Sequence, residues 1–242
     1  VQAPEYEVEL LTRIFKKLRE RPPLSLREDF CGTALLCAEW VESKQGRTAL
    51  GVDIDQSVLD WGIKNNLAKI GEPGERIQLL TKDVRSAIPG AFDVCVAFNF
   101  SYWYFQERDV MLKYFQGVRK GLVKDGLFFL DAYGGYESHE PSLTDDPRKC
   151  KGFTYLWEQD KVDPINNTVT NHIHFEFPDG TKLKNAFTYH WRFWSLLELK
   201  ELLLEAGFKN VLVYWEDDDD VYRAKKTATN QPSWIVYIVA EK

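Results

Sequence analysis

Between residues 24 and 133 the chain alternates short, nearly unbroken apolar runs with amphipathic stretches, and this rhythm restricts the fold more than any other feature. The runs are "LSLREDF" (24–30), "TALGVDID" (48–55), "IQLLTKDV" (77–84), "AFDVCVAFNF" (91–100) and "GLFFLDAY" (126–133). Helical spacing of apolar residues marks the stretches 31–44, 57–70 and about 108–120. Strands that are apolar on both sides must be covered on both faces, and the intervening helices supply the cover. The pattern therefore predicts a parallel α/β sheet flanked by helices. Only the first run departs from it, because Arg27-Glu28-Asp29 is too polar for a simple buried strand.

Upstream, Val8, Leu11, Phe15 and Leu18 recur at helical steps from Glu5 to Glu20, and Arg21-Pro22-Pro23 ends the helix. Beyond Tyr133 the rhythm changes. Residues 134–149 are rich in Gly, Pro, Ser and Asp and read as a loop or lid. Alternating segments at 153–162, 168–177 and 181–193, separated by "PINN" and "PDG", predict an antiparallel layer. "SLLELKELLLEAGF" reads as a helix closed by Gly207. "KNVLVYWE" and "SWIVYIVAE" read as strands of an edge hairpin, with "EDDDD" (216–220) in a solvated turn rather than a calcium loop. The expected organisation is a cap (1–23), a Rossmann-like half (24–133), a lid and β insertion on the substrate side (134–193), and a closing helix with two strands (194–242).

Composition narrows the function. Lys and Arg total 31 against 37 Asp and Glu, a net charge of −6. That balance argues against non-specific grip on nucleic acid or an anionic membrane. Cys31, Cys37, Cys95 and Cys150 lack metal-ligand spacing and read as reduced thiols, which suits the cytoplasm. No apolar run approaches the ~20 residues of a membrane helix, and no secretory leader is read. The sequence opens on Val1 rather than Met, and whether upstream residues complete the site is left open.

The first strand–helix unit carries the chemistry. Gly32 lies in "FCGTA" between strand and helix, where glycine permits a tight turn and close approach of a ligand. About twenty residues on, Asp53 ends the second strand, where a carboxylate accepts from a ribose diol, with Asp55 as helper or N-cap. The G-x-G-x-x-G fingerprint is incomplete and no phosphate-binding G-x-x-x-x-G-K-[ST] occurs, so the expected ligand is a nucleoside whose tail is not a diphosphate.

These residues resemble the class I S-adenosylmethionine-dependent methyltransferases over about residues 24–240. The family's E/D-x-G-C-G-T-G turn is matched by Glu28-Asp29-Phe30-Cys31-Gly32-Thr33-Ala34, with Phe30 and Ala34 departing from it. The resemblance implies a Rossmann-like, mostly parallel seven-stranded sheet with a small antiparallel layer inserted after strand five. It implies S-adenosyl-L-methionine as cofactor and S-adenosyl-L-homocysteine as product. Glu28 would serve the methionine end, with Phe30, Cys31, Gly32 and Thr33 forming the turn. Asp53 would hold the ribose, Ile54 would pack on adenine, and Asp83 and Val84 would meet its edge, while Asn99 would lie where donor and acceptor meet.

The insertion resembles that of small-molecule N-methyltransferases, including those of glycine and sugar amines. Substrate candidates are Ser101, Tyr102, Trp103, Tyr133, Tyr136 and Arg192, the last through its fork on a carboxylate. Tyr102, His190 and His139 are candidate catalytic groups, although alignment of donor and acceptor supplies most of the expected gain. Alternation leaves open which face of 187–194 looks inward. No metal set is expected, because His172 and His174 lack a third ligand at suitable spacing. "NFSY" (99–102) lacks the prolines of the N/D-P-P-[FYW] tetrapeptide of many nucleic-acid and glutamine methyltransferases. The leading expectation is a methyltransferase for a small-molecule acceptor, at nitrogen rather than oxygen, working as monomer or homodimer. A protein or peptide methyltransferase and a non-catalytic interaction protein on the same fold are the alternatives. An NAD-dependent oxidoreductase is weakest, for want of glycines.

Overall fold

The apolar runs become β1 (Ser25–Asp29), β2 (Thr48–Asp53), β3 (Ile77–Thr81), β4 (Phe92–Ala97) and β5 (Leu122–Gly134). The computed structural model from which these bounds come describes residues 3–143 and 147–242. Helix α1 (Pro4–Arg19) precedes the strands, α2 (Leu35–Glu42) joins β1 to β2, and α3 (Gln56–Gly62) follows β2. Helix α3 runs through a π turn (Ile63–Leu67) into the single turn α4 (Ala68–Ile70), and α5 (Arg108–Lys120) precedes β5. The polar centre of β1 has a specific cause. Arg27 clamps Asp29 through two hydrogen bonds of 2.8 and 2.9 Å, and the Tyr114 hydroxyl donates to the same carboxylate at 2.8 Å. A buried charge pair is tolerated when its remaining hydrogen-bonding capacity is met in this way.

After β5 come β6 (Ser142–Leu143), β7 (Arg148–Cys150), β8 (Phe153–Gln159), β9 (Thr168–Glu176) and β10 (Lys182–Arg192). Then follow α6 (Leu196–Glu205), β11 (Asn210–Glu216), β12 (Tyr222–Lys225) and β13 (Trp234–Glu241). The large sheet has eight strands in the order β12-β11-β13-β5-β4-β1-β2-β3. Strands β3, β2, β1, β4 and β5 are mutually parallel, and β13 runs antiparallel to β5. Connections diverge to opposite sides between β1 and β4, so a crevice opens at the carboxyl ends of these strands, the usual ligand position in an open α/β sheet.

Two expectations need correction. The sheet has eight strands rather than seven, because the 217–231 link contributes β12. The last two long strands do pair antiparallel, but β13 lies inside the sheet, between β5 and β11. Its Val236, Ile238, Val239 and Ala240 are buried, as an interior strand requires. The edge falls to short, charged β12, whose Arg223 and Lys225 pair with Asp217 at the turn. The antiparallel layer is a separate five-stranded sheet, β10-β9-β8-β6 with β7 also on β8. Strand β6 and the first two residues of β7 lie within the expected 134–149 lid, of which 144–146 fall outside the described residues. Helices α1 and α2 cover one face of the large sheet over Leu11, Phe15, Trp40 and Val239. The other face packs Tyr114, Phe115 and Phe128 against Leu199 and Leu203 of α6.

Candidate cofactor and acceptor sites

The turn after β1 holds its shape without its full set of glycines. Phe30, Gly32 and Ala34 all have left-handed backbone, with φ of 57°, 52° and 55°. This conformation costs roughly 1–2 kcal/mol for a residue with a Cβ, so Phe30 and Ala34 are strained. Compensation is visible at Phe30, whose ring lies 5.8 Å from Phe105 and 6.1 Å from Tyr114. Cys31 is tied to β2 by its N–H on the Val52 carbonyl at 3.0 Å. The Thr33 carbonyl accepts from Asn66 Nδ2 at 2.8 Å, which binds the turn to the π segment after α3.

Asp53 ties this turn to the end of β2. Its Oδ2 accepts from Gly32 N at 2.8 Å and its Oδ1 from Asp55 N at 3.0 Å, which fixes the carboxylate plane while a lone pair stays open on each oxygen. A Cβ built at Gly32 would meet no atom within 4 Å, so the turn borders open space. Ile54, next to Asp53, is 72% exposed, an apolar surface with nothing packed on it. Asp55 caps α3 through Ser57 and Val58 N–H groups. Asp83 is engaged by Arg85, whose hydrogen bonds hold its carboxyl below the usual range, and Val84 beside it is buried. A rigid carboxylate, an open glycine turn and an exposed apolar platform together fit a nucleoside such as that of S-adenosylmethionine.

Glu28 lies deeper than a solvent-facing ligand would. It is buried, its Oε2 accepts from Cys37 N (3.2 Å) and Cys37 Sγ (3.0 Å), and burial pushes its carboxyl up to about 8. After β4, Asn99 and Phe100 are again left-handed, both with φ of 57°. Asp131 of β5 accepts from both of their N–H groups, at 2.7 and 2.9 Å. Burial pushes Asp131 up to about 7 against the pull of those two donors. This carboxylate, which shapes the turn, escaped the sequence reading because "FFLDAY" reads as a plain strand end.

Tyr102 is fully buried and donates to the Asp131 carbonyl at 2.7 Å, while the Ser101 hydroxyl donates to the Phe98 carbonyl at 2.9 Å. Trp103 stacks on Tyr133 at 4.8 Å and lies 6.1 Å from Trp191 and 5.1 Å from Phe193. Trp191 and Phe193 thus face the large sheet, which answers the open question about 187–194. His190 and Arg192 belong to the opposite face of β10. His190 Nδ1 meets the Thr170 hydroxyl at 3.1 Å. Arg192 donates to Glu198 at 2.7 Å and to the Gln106 carbonyl at 3.0 Å, so its fork is already used by an acid of α6. His139 is exposed, with its ring 4.6 Å from Phe193, and Tyr136 is exposed beyond it. The site therefore gathers Trp103 and Tyr133 and leaves His190 and Arg192 outside. Among the described residues no group of three or more His, Cys, Asp or Glu could hold a metal ion. No described helix is long and apolar enough to cross a membrane.

No family model and no curated protein matches the chain. Solved structures match over its whole length. An S-adenosylmethionine-dependent methyltransferase from Clostridium acetobutylicum is 17% identical, covering 100% of this chain and 92% of its own, with a TM-score of 0.72. The CcbJ methyltransferase from Streptomyces caelestis is 15% identical, with 98% and 96% coverage and a TM-score of 0.75. The sugar N-methyltransferase KedS8 from Streptoalloteichus is 14% identical, with 98% and 86% coverage and a TM-score of 0.68. The architecture of this protein is the class I methyltransferase fold.

Proposed function

We propose that this protein is an S-adenosyl-L-methionine-dependent methyltransferase acting on a nitrogen of a small-molecule acceptor. The observation that carries the reading is Asp53, held by two backbone N–H groups at the mouth of an open glycine turn beside exposed Ile54. When bound, the cofactor supplies a methyl group already activated on a sulfonium. The protein's share is alignment and electrostatics. Asp53 would fix the ribose, Ile54 would cover one face of the adenine, and the 30–34 turn would seat the amino-acid end above Glu28. The turn at Asn99 and Phe100, anchored on Asp131, would set the floor on which donor and acceptor meet.

A small acceptor is favoured because the small sheet closes over the 101–106 segment. Tyr104 and Gln106 bond to carbonyls of β10, and Trp194 donates to the Phe105 carbonyl at 3.2 Å. Nitrogen is favoured by the likeness to a sugar N-methyltransferase. Calorimetric titration with S-adenosylmethionine and S-adenosylhomocysteine tests the reading. Both should bind, and Asp53→Asn and Asp53→Ala should weaken binding about tenfold or more. Failure of both ligands to bind folded wild-type protein would overturn it.

A further inference from the structure

Strand β11 is apolar on both faces, yet only one of them is fully covered. Leu212 and Tyr214 point to one side, where Tyr214 is buried in a cluster with Tyr222, Tyr237 and Val239. Val211, Val213 and Trp215 point to the other. Val211 is buried in one cluster with Leu199 and Leu203 of α6, whereas Val213 and Trp215 are only partly buried. Helix α6 lies to one side of this stretch, and its Leu197, 64% exposed, and Lys200 form a wall rather than a cover. Residues 225–228 and Asn230 form the opposite wall, and the space between them is a groove of about 610 Å³. Its aromatic floor is built rather than incidental. The Trp215 and Trp234 rings stand 5.2 Å apart, and Asn230 Oδ1 accepts from Trp234 Nε1 at 3.2 Å. Gly134 makes room beneath, since a Cβ there would lie 2.3 Å from the Trp234 ring.

The charge on the walls runs against that of the molecule. The chain carries a net −6, yet among the described residues the groove is lined by Lys200, Lys225 and Lys226 and by no carboxylate. Lys225 pairs with Asp217. Lys200 and Lys226 are exposed and form no ion pair among the described residues. An apolar aromatic floor beneath two unpaired ammonium groups is complementary to an anion with a flat apolar body.

We propose that this groove binds a small aromatic carboxylate, with its ring on Trp215 and Trp234 and its carboxylate at Lys200 and Lys226. The site is separate from the cofactor turn and does not depend on the methyltransferase reading. Its volume falls within the roughly 300–1,000 Å³ of small-molecule sites. A singly charged head suits the floor, where a second charge would cost more to desolvate. A peptide finds no strand edge to extend, because β11 is already paired with β12 and β13. The exposed apolar lining also falls well short of the ~800 Å² per partner of a stable dimer.

The test compares cinnamate with cinnamyl alcohol and cinnamylamine, which share one ring body and differ in charge. Each is titrated calorimetrically at low ionic strength into wild-type protein, the double variant Lys200→Gln/Lys226→Gln, and Leu197→Ser. All three positions are exposed, so these variants keep the fold. Cinnamate should bind about five- to tenfold tighter than the alcohol, and the amine more weakly than either. The double lysine variant should bring cinnamate to within about twofold of the alcohol. Leu197→Ser should weaken cinnamate and the alcohol alike, by about threefold, and keep their order. The indole N–H resonances of Trp215 and Trp234, assigned through Trp215→Phe and Trp234→Phe, should shift on addition of cinnamate. The inference is overturned if no probe binds, if the three bind equally, or if the preference for the anion survives the double lysine variant. Displacement of cinnamate by S-adenosylhomocysteine would put the ring in the crevice at the carboxyl ends of the strands and overturn it too. A concentration-dependent dimer lost in Leu197→Ser would give the groove to a second copy, with the same consequence.

Discussion

At the scale of single residues, Phe30 and Ala34 show how a glycine turn persists when its glycines are gone. Strain of about 1–2 kcal/mol per left-handed residue is offset at Phe30 by burial of its ring against Phe105 and Tyr114. Fully burying a large apolar side chain contributes about 1.5–3 kcal/mol, and partly buried Phe30 gains a share of that. A glycine at 30 would relax the backbone but lose the ring and add unfolded-state freedom. Phe30→Gly should therefore destabilise the protein, by about 1 kcal/mol, although it brings the turn nearer the E/D-x-G-C-G-T-G pattern that it resembles. Denaturant unfolding measures this, and a variant more stable than wild type would show that strain outweighs packing here. The same residues explain what was legible. Gly32 and Asp53 stood out because their chemistry is local to the chain. Asp131 did not, because what distinguishes it is its choice of partners, the Asn99 and Phe100 N–H groups about thirty residues away.

Elements were easier to read than their junctions. Apolar runs and helical spacing marked the principal strands and helices, because burial on a face imposes a period on the sequence. The eighth strand was missed because β12 is short, charged and at an edge, where no such period is imposed. The π turn at Ile63–Leu67 has no sequence signal either, yet it bears on the site. It follows Gly62, where a Cβ would lie 2.5 Å from the Thr33 carbonyl oxygen, and it carries Asn66, which donates to that same oxygen. Helix α3 thus docks directly on the 30–34 turn through a missing side chain. Gly62→Ala must push the helix from the turn, since the clash is with backbone. It should lower stability by about 1–3 kcal/mol and weaken S-adenosylhomocysteine binding more than a mutation of equal destabilisation elsewhere. Calorimetry on Gly62→Ala beside a core truncation away from the turn, such as Val239→Ala in β13, compares the two; equal affinities would detach α3 from the site.

Across the whole molecule, acids on one side of the sheet share a single electrostatic fate. Glu7 on α1 is buried, and burial pushes it up to about 7. Burial likewise raises Asp131 to about 7 and Glu28 to about 8, and Glu7 adds to both shifts. For each group the folded state holds a proton that the unfolded chain releases near its ordinary carboxylate value. Their stabilising effect is therefore complete in acid, and is lost as pH rises through the folded values. Carboxylates held low by partners, such as Asp83 beside Arg85 and Asp93 beside Arg21, act only further into acid. Melting temperature should consequently fall between about pH 5 and pH 8.5, even though the surface ion pairs stay formed. Glu7→Gln removes one titration and its influence on the other two. It should match wild type near pH 5 and gain on it steadily toward pH 8.5, which a loss of packing would not produce. Parallel melting curves for the two proteins across that range would mean that α1 does not share the charge of the sheet beneath it. The coupling expected instead makes the first helix part of the electrostatic floor under the turns that would seat cofactor and acceptor, and not merely a cap on the core.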